Sequence, residues 1–499
     1  MTGQQRPPVR YQSYSLAFIV IASFLILAHS TLLQLPYFWD EAGQFIPAAL
    51  DIFRLGAWVP VSTLPNVHPP GVMAYLACVW TLFGYSIAAT RIAILLVASA
   101  AALVTFLLAI ELTRESTGTP AFSALALLCL SPLFFAQSML AQLDMPAMCL
   151  STLALLLFLQ DRFRASAVVC AALVLTKETS AIVPALFFCW LLAERRNRDA
   201  VWFLLPFAPL FLWLVMLQDA TGHWFGNAEF TTYNLRYPLD PVRIAFAILR
   251  RLYYLFIGSG HIIGTAALIW AWKRMPLFRT RQWKLAATFV AAHILLVSVL
   301  GGAVLERYLL PALPVVYTAF ALSLRALLPR PRRFTLAGLL ACLVAASFIN
   351  PFYPFPFENN LSFVSFVQLE QSAAAAVELS TSGLAASTFP VSDALKKPDL
   401  GFVQTSRKVV EIASFSRPEI EKLKQLDPAV VVVWNRTWDP LGLLTWPPVR
   451  DFLTRKAGYV PELTTPEICE VLSMHVAWSW TRRGQTMEVL QRGPVQRTF

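Results

Sequence analysis

The stretch YSLAFIVIASFLILAHSTLLQLPYFWDEAGQ, residues 14–44, decides how this chain is read. Its first part, Tyr14 to Leu35, is an apolar run long enough for a helix to cross the hydrocarbon of a bilayer, which takes roughly 20 residues. The run is too long for a signal-peptide core and lacks a small-x-small cleavage site, so it reads as a retained anchor. The second part sets two adjacent carboxylates, Asp40 and Glu41, where such a helix emerges into water. An acid pair at the surface of a chain of hydrocarbon spans points to function. The plainer alternative is a solvated loop acid beside an interfacial aromatic, Trp39.

Composition supports the membrane reading. Hydrophobic residues make up 57% and charged residues 14%, with a mean hydropathy of +0.59, whereas soluble chains carry about 25% charged residues. The net charge of +11 does not mark a nucleic-acid face, because the basic residues fall in short clusters between apolar runs. These are Arg6 and Arg10; Arg162 and Arg164; Arg195, Arg196 and Arg198; Lys273 to Lys284; and Arg325 to Arg333. Positive charge resists translocation, so these clusters mark cytoplasmic loops. Six of the seven cysteines lie in apolar segments and Cys469 stands apart, without the spacing of a disulfide framework or zinc site.

Placing the basic clusters inside gives a polytopic helical membrane protein with about eleven spans. The expected spans are 14–35, 88–112, 119–139, 144–160, 165–177, 180–194, 200–218, 250–272, 285–303, 307–328 and 334–350. The N-terminus is then cytoplasmic and everything after Asn350 extracytoplasmic. Lys177-Glu178 separates the two short spans at 165–194; one span there would invert all later segments, and charge bias favours two. In the long first outer loop, 42–55 and 70–84 read as helices lying in the interface plane. Residues 1–350 are expected to form the membrane domain. Residues 351–499 are expected to form a small α/β domain behind the stiff segment 351–356, with a strand at Ala429–Trp434 and a helix over Ile420–Leu426.

Polar residues recur at the predicted outer ends of the spans. Asp40 and Glu41 follow span one, and His68 and Arg91 flank the rest of that loop. Asp144 starts span four, Lys177 and Glu178 mark the turn after span five, and Arg307-Tyr308 opens span ten. Each has a plainer reading: Asp144 as a helix cap, Arg91 and Arg307 as snorkelling cations, Lys177 with Glu178 as a surface pair, His68 as a loop residue. Their recurrence at one face favours convergence on a single cavity.

The Asp-Glu pair after the first span, His68-Pro-Pro-Gly71 leading to Phe83-Gly-Tyr-Ser86 and Arg91, and Asp144-Met-Pro together resemble the C-type glycosyltransferases (the GT-C superfamily). The likeness is to the branch of protein O-mannosyltransferases and lipid A aminoarabinose transferases. Thr176-Lys-Glu-Thr179 and Glu306-Arg-Tyr-Leu-Leu-Pro-Ala-Leu-Pro314 are similar to that branch too, and the resemblance spans about residues 14–350. It implies inverting transfer of a sugar from a polyprenyl-phosphate donor to a hydroxyl of a glycan, lipid or protein acceptor at the outer face of a bacterial plasma membrane. By the resemblance Asp40 is the catalytic base, Glu41 supports it or binds the acceptor, and Asp144 orients substrate. His68, Arg91, Lys177 and Arg307 are candidates for the carrier phosphate, with Glu178 and Tyr308 in the substrate-binding set; the branch often has Lys or another polar residue where this chain has His68.

No metal-ligand cluster stands out in the sequence, so no cofactor is expected, although the pattern is compatible with a divalent ion. The main alternative is a transporter or lipid-carrier flippase, which would want mid-membrane charges and repeat symmetry. A non-catalytic scaffold and an oligosaccharide ligase are the others.

Overall fold

The computed structural model describes residues 11–113, 120–380, 383–457 and 459–492. Among the described residues five helices are long and apolar enough to cross a membrane: Ile87–Thr113, Asn197–Thr221, Arg281–Val299, Glu306–Leu324 and Pro329–Phe348. The pair Pro241–Phe256 and Gly258–Trp272, bent by 41°, is a sixth candidate, and five shorter apolar helices accompany them. With these helices the chain is an integral membrane protein. The expectation of about eleven crossings leans on the shorter helices; among the described residues five or six qualify by length and composition.

Three expected spans differ, each for a local reason. The first helix, Tyr11–Ala28, stops short of Leu35 and gives way to a 3-10 turn at Ser30–Leu32. From residue 120 on, the span expected at 119–139 is broken into Ala121–Cys129 and Pro132–Gln137. Pro132 has no N–H to continue the helix ladder. The span expected at 250–272 begins earlier, at Pro241, and bends where Ser259 and Gly260 take φ of +54° and +85°. The break at Lys177-Glu178 lies where the sequence placed it. Lys177 is extended between the helices Phe163–Thr176 and Ile182–Ala193, with a 3-10 turn at Glu178–Ala181. The loop between Tyr11–Ala28 and Ile87–Thr113 carries the helices Ile46–Leu55 and Gly71–Phe83.

Helix Leu313–Leu324 is the hub of the bundle, with every residue buried. Its N-terminal extension, the 3-10 segment Glu306–Ala312, delivers Glu306, Arg307 and Tyr308 to one end of the bundle. Helix Gly71–Phe83 crosses the end of Phe163–Thr176 so closely that a Cβ on Gly71 would lie 2.5 Å from the Leu175 carbonyl oxygen. This contact sets the His68-Pro69-Pro70 segment against Lys177 and Glu178.

The C-terminal region builds a five-stranded sheet from β1 (Ala385–Ser387), β2 (Val409–Glu411), β3 (Val430–Trp434), β4 (His475–Arg482) and β5 (Gln485–Gln491), in the order β2-β1-β3-β5-β4. β1 runs parallel to β2 and β3, while β5 is antiparallel to β3 and β4. The strand and helix read from the sequence are β3 and Arg417–Gln425. The β4–β5 hairpin turns on Arg483 and Gly484, both at positive φ, the two-residue geometry that suits strand twist. This sheet region packs directly on the loop between the first helix and Ile87–Thr113. Trp39 meets Trp434, Phe389 and Phe366 at ring-centroid distances of 5.7, 5.8 and 6.0 Å. Gly43 lacks the side chain that would collide with the Phe389 ring. Arg54 forms two 2.8 Å hydrogen bonds to Asp399 and holds that carboxyl below its usual range.

Candidate active site

A cavity of about 580 Å³ opens where the loop after the first helix, the hub helix and the C-terminal region meet. Of the nine residues singled out in the sequence, Asp40, His68, Asp144, Lys177, Arg307 and Tyr308 line it. They arrive from five separate segments, which is why no contiguous motif announces them. Asp144 is the first residue of helix Asp144–Leu159, where the helix dipole favours an anion.

Arg307 organises the cluster. Its guanidinium bonds to Asp40, donates to Gln142 Oε1 at 2.7 Å and Glu358 Oε2 at 2.9 Å, and lies 3.2 Å from Asp144 Oδ2. Lys177 pairs with the other Asp144 oxygen and sits 4.1 Å above the Tyr308 ring. His68 meets Glu178 at 2.9 Å and edges onto Phe230, so Glu178 acts from behind the wall. Asp40 is 30% exposed, against 6% for Asp144 and 4% for Glu358. Of Arg307's three carboxylate partners, Asp40 is the one open to an incoming group.

Glu41 and Arg91 are not brought to the cavity. They form an ion pair with no exposed surface on either side chain. Arg91 also donates to the carbonyls of Leu35, Pro36 and Met139, and Glu41 accepts from the Phe38 and Ala141 amides. The pair therefore ties the segment leading into Asp40 to the bundle, while Trp39 at φ +49° turns the chain so that Asp40 faces the cavity. Arg91→Leu would leave Glu41 as a buried charge without its ion partner, a loss of about 3–5 kcal/mol. A melting temperature within a degree or two of wild type would contradict this.

Several residues of the site escaped the sequence reading. Glu358 follows the apparently stiff linker, where nothing marks it as a site residue. Gln142 sits two residues before Asp144, and Arg250 pairs with Glu306 at 2.6 Å. Asn359 donates to the other Glu306 oxygen at 2.8 Å. Arg251, beside Arg250, is 1% exposed, and none of its three guanidinium nitrogens has a hydrogen-bond partner among the described residues. Only the two adjacent arginines inside the amphipathic helix Pro241–Phe256 could have drawn attention to it. Among the described residues no group of three or more His, Cys, Asp or Glu side chains is placed to hold a metal ion.

Burial pushes the Glu358 carboxyl up to about 7, with Arg307 opposing and the Asp40 and Asp144 charges adding to the rise. A carboxyl raised on folding contributes stability that is full below its unfolded pKa and is lost as pH rises through the folded value. The wild-type melting temperature is therefore expected to decline between about pH 4.5 and 7. Glu358→Gln removes this titration and should flatten that part of the profile, as thermal melts across the range would show. An unchanged slope would mean that Glu358 stays ionised throughout.

No family model and no curated protein matches the chain. Solved structures do. The crystal structure of ArnT from Cupriavidus metallidurans bound to undecaprenyl phosphate superposes with a TM-score of 0.59 at 13% identity, covering 96% of this chain and 98% of that one. The same protein in the apo state gives 0.58 at 14% identity with the same coverage. The chain has the fold of ArnT. At this coverage the likeness takes in the C-terminal sheet as well as the helices.

Proposed function

We propose that this protein is a glycosyltransferase that moves a sugar from a polyprenyl-phosphate donor to an acceptor hydroxyl at the outer face of the membrane, with inversion. The observation that carries this is Asp40: a half-open carboxylate in a cavity at the end of a membrane bundle, oriented by Arg307 and flanked by cationic side chains. Asp40 takes the proton of the acceptor hydroxyl as that oxygen attacks the anomeric carbon. The new C–O bond forms opposite the bond to phosphate, whose electron pair leaves with the carrier. Phosphate is already a good leaving group, so the site needs positive charge more than an acid, and Lys177, His68 and Arg250 on the cavity wall supply it. The orientation that places the C-terminal sheet outside belongs to this reading.

The lipid carrier has a place to lie. Helix Pro241–Phe256 bears Arg250 at the cavity and, through Ile248, Leu252 and Phe256, lines an apolar groove of about 400 Å³. An isoprenoid chain fits that surface, and the ArnT structure of the same fold holds undecaprenyl phosphate. The test is sugar release from a panel of radiolabelled polyprenyl-phosphate sugars by purified protein. Turnover with one donor supports the reading. Carrier movement across vesicles without any turnover would replace it with a flippase.

A further inference from the structure

A second cavity, of about 790 Å³, lies beyond Trp39. It is built from the carboxyl ends of the parallel strands: Ala413–Phe415 after β2 and Val433–Thr437 at the end of β3, with Thr486 and Glu488 from the start of β5 beside them. In α/β sheets with parallel strands this end is where ligands bind. Trp39, Arg436 and Thr437 line both cavities, so one wall separates this crevice from the cavity containing Asp40.

The chemistry of the crevice differs from that of the first cavity. Its aromatic lining comes from Trp39, Phe415, Trp434 and Tyr459, of which the half-buried Trp39 and Tyr459 present open ring surface. The charged groups on its wall are three carboxylates, Asp439, Glu462 and Glu488, against one guanidinium, Arg436, which is 3.0 Å from Glu462. An acidic excess repels phosphate, whereas aromatic faces receive the C–H faces of sugar rings and carboxylates and threonine hydroxyls accept or donate to sugar hydroxyls. The volume lies in the range of built ligand sites.

From these features we infer that this crevice binds the acceptor as a neutral or amino-bearing oligosaccharide and feeds its terminal hydroxyl past Trp39 to Asp40. The inference rests on the transferase reading for its role, and on the crevice alone for the ligand class. The full-length protein in nanodiscs is titrated calorimetrically with mannotriose, triacetylchitotriose and mannose 6-phosphate, for wild type, Tyr459→Ala and Thr445→Trp. Both substitutions lie in the crevice and outside the catalytic cavity. Binding of one trisaccharide by wild type, weakened at least tenfold in both variants, with melting temperature and acceptor-free donor hydrolysis unchanged, is the expected result. Binding of neither trisaccharide overturns the inference, as does mannose 6-phosphate binding more tightly than mannotriose or variants that bind like wild type. Trisaccharide binding lost in the variants, with no donor hydrolysed by wild type, would sink the transferase reading while leaving the crevice as a glycan site.

Discussion

Asp40→Asn is expected to lower the rate of sugar transfer by about 10²–10⁴-fold, the usual contribution of a positioned general base. The amide keeps the size of the carboxylate and can still meet Arg307, so the fold should hold. It cannot take a proton from the acceptor. The donor KM should change little, because the proposed mechanism places the carrier phosphate against the cationic side chains rather than Asp40. The loss is thus read in kcat with the melting profile as control. Full turnover in a folded Asp40→Asn protein would remove this residue from the chemistry and leave Asp144 as the next carboxylate to test.

Replacing Arg307 is expected to damage stability and activity together. Its guanidinium has 5% of its surface exposed and faces Asp40, Asp144 and Glu358. In Arg307→Gln the three carboxylates face one another, with only Lys177 left beside Asp144. Breaking a buried ion network in this way costs about 3–5 kcal/mol, and loss of the group that orients the base costs about 10²–10³ in rate. Without Arg307 to oppose it, burial would lift the Glu358 carboxyl further, so the variant should lose further stability as pH increases. Arg307→Lys keeps the charge but not the planar fork that reaches several partners at once, and should recover only part of either property. Thermal melts at pH 5 and 8 decide: equal midpoints for Arg307→Gln and wild type would show that the network is not held by this residue.

Much of the site was legible because the constraint that exposes it is simple. In a chain of hydrocarbon spans, a charge needs a reason, so Asp40, Asp144, Lys177 and Arg307 stand out against their neighbours. Glu41 and Arg91 stood out equally and turned out to be partners of each other beneath the cavity. Sequence shows that a charge is present near a span end; it does not show which way the side chain points. Glu358 and Arg251 were hidden for the opposite reason, the one in a loop where charge is ordinary and the other in a helix where basic residues read as topology.

The sequence by itself determined that the chain is a membrane protein, that its helices break at Lys177 and that a strand forms at Val430–Trp434, while the family resemblance chose which carboxylate to test first. The first three follow from local physics: hydrocarbon length, the cost of charge in lipid and β-branched runs. The tertiary structure alone decided that one guanidinium gathers three carboxylates from distant segments, that Glu41 and Arg91 are scaffold, and that the C-terminal sheet stands against Trp39. Those relations depend on how helices pack and on side-chain direction, and no local pattern in the chain encodes either.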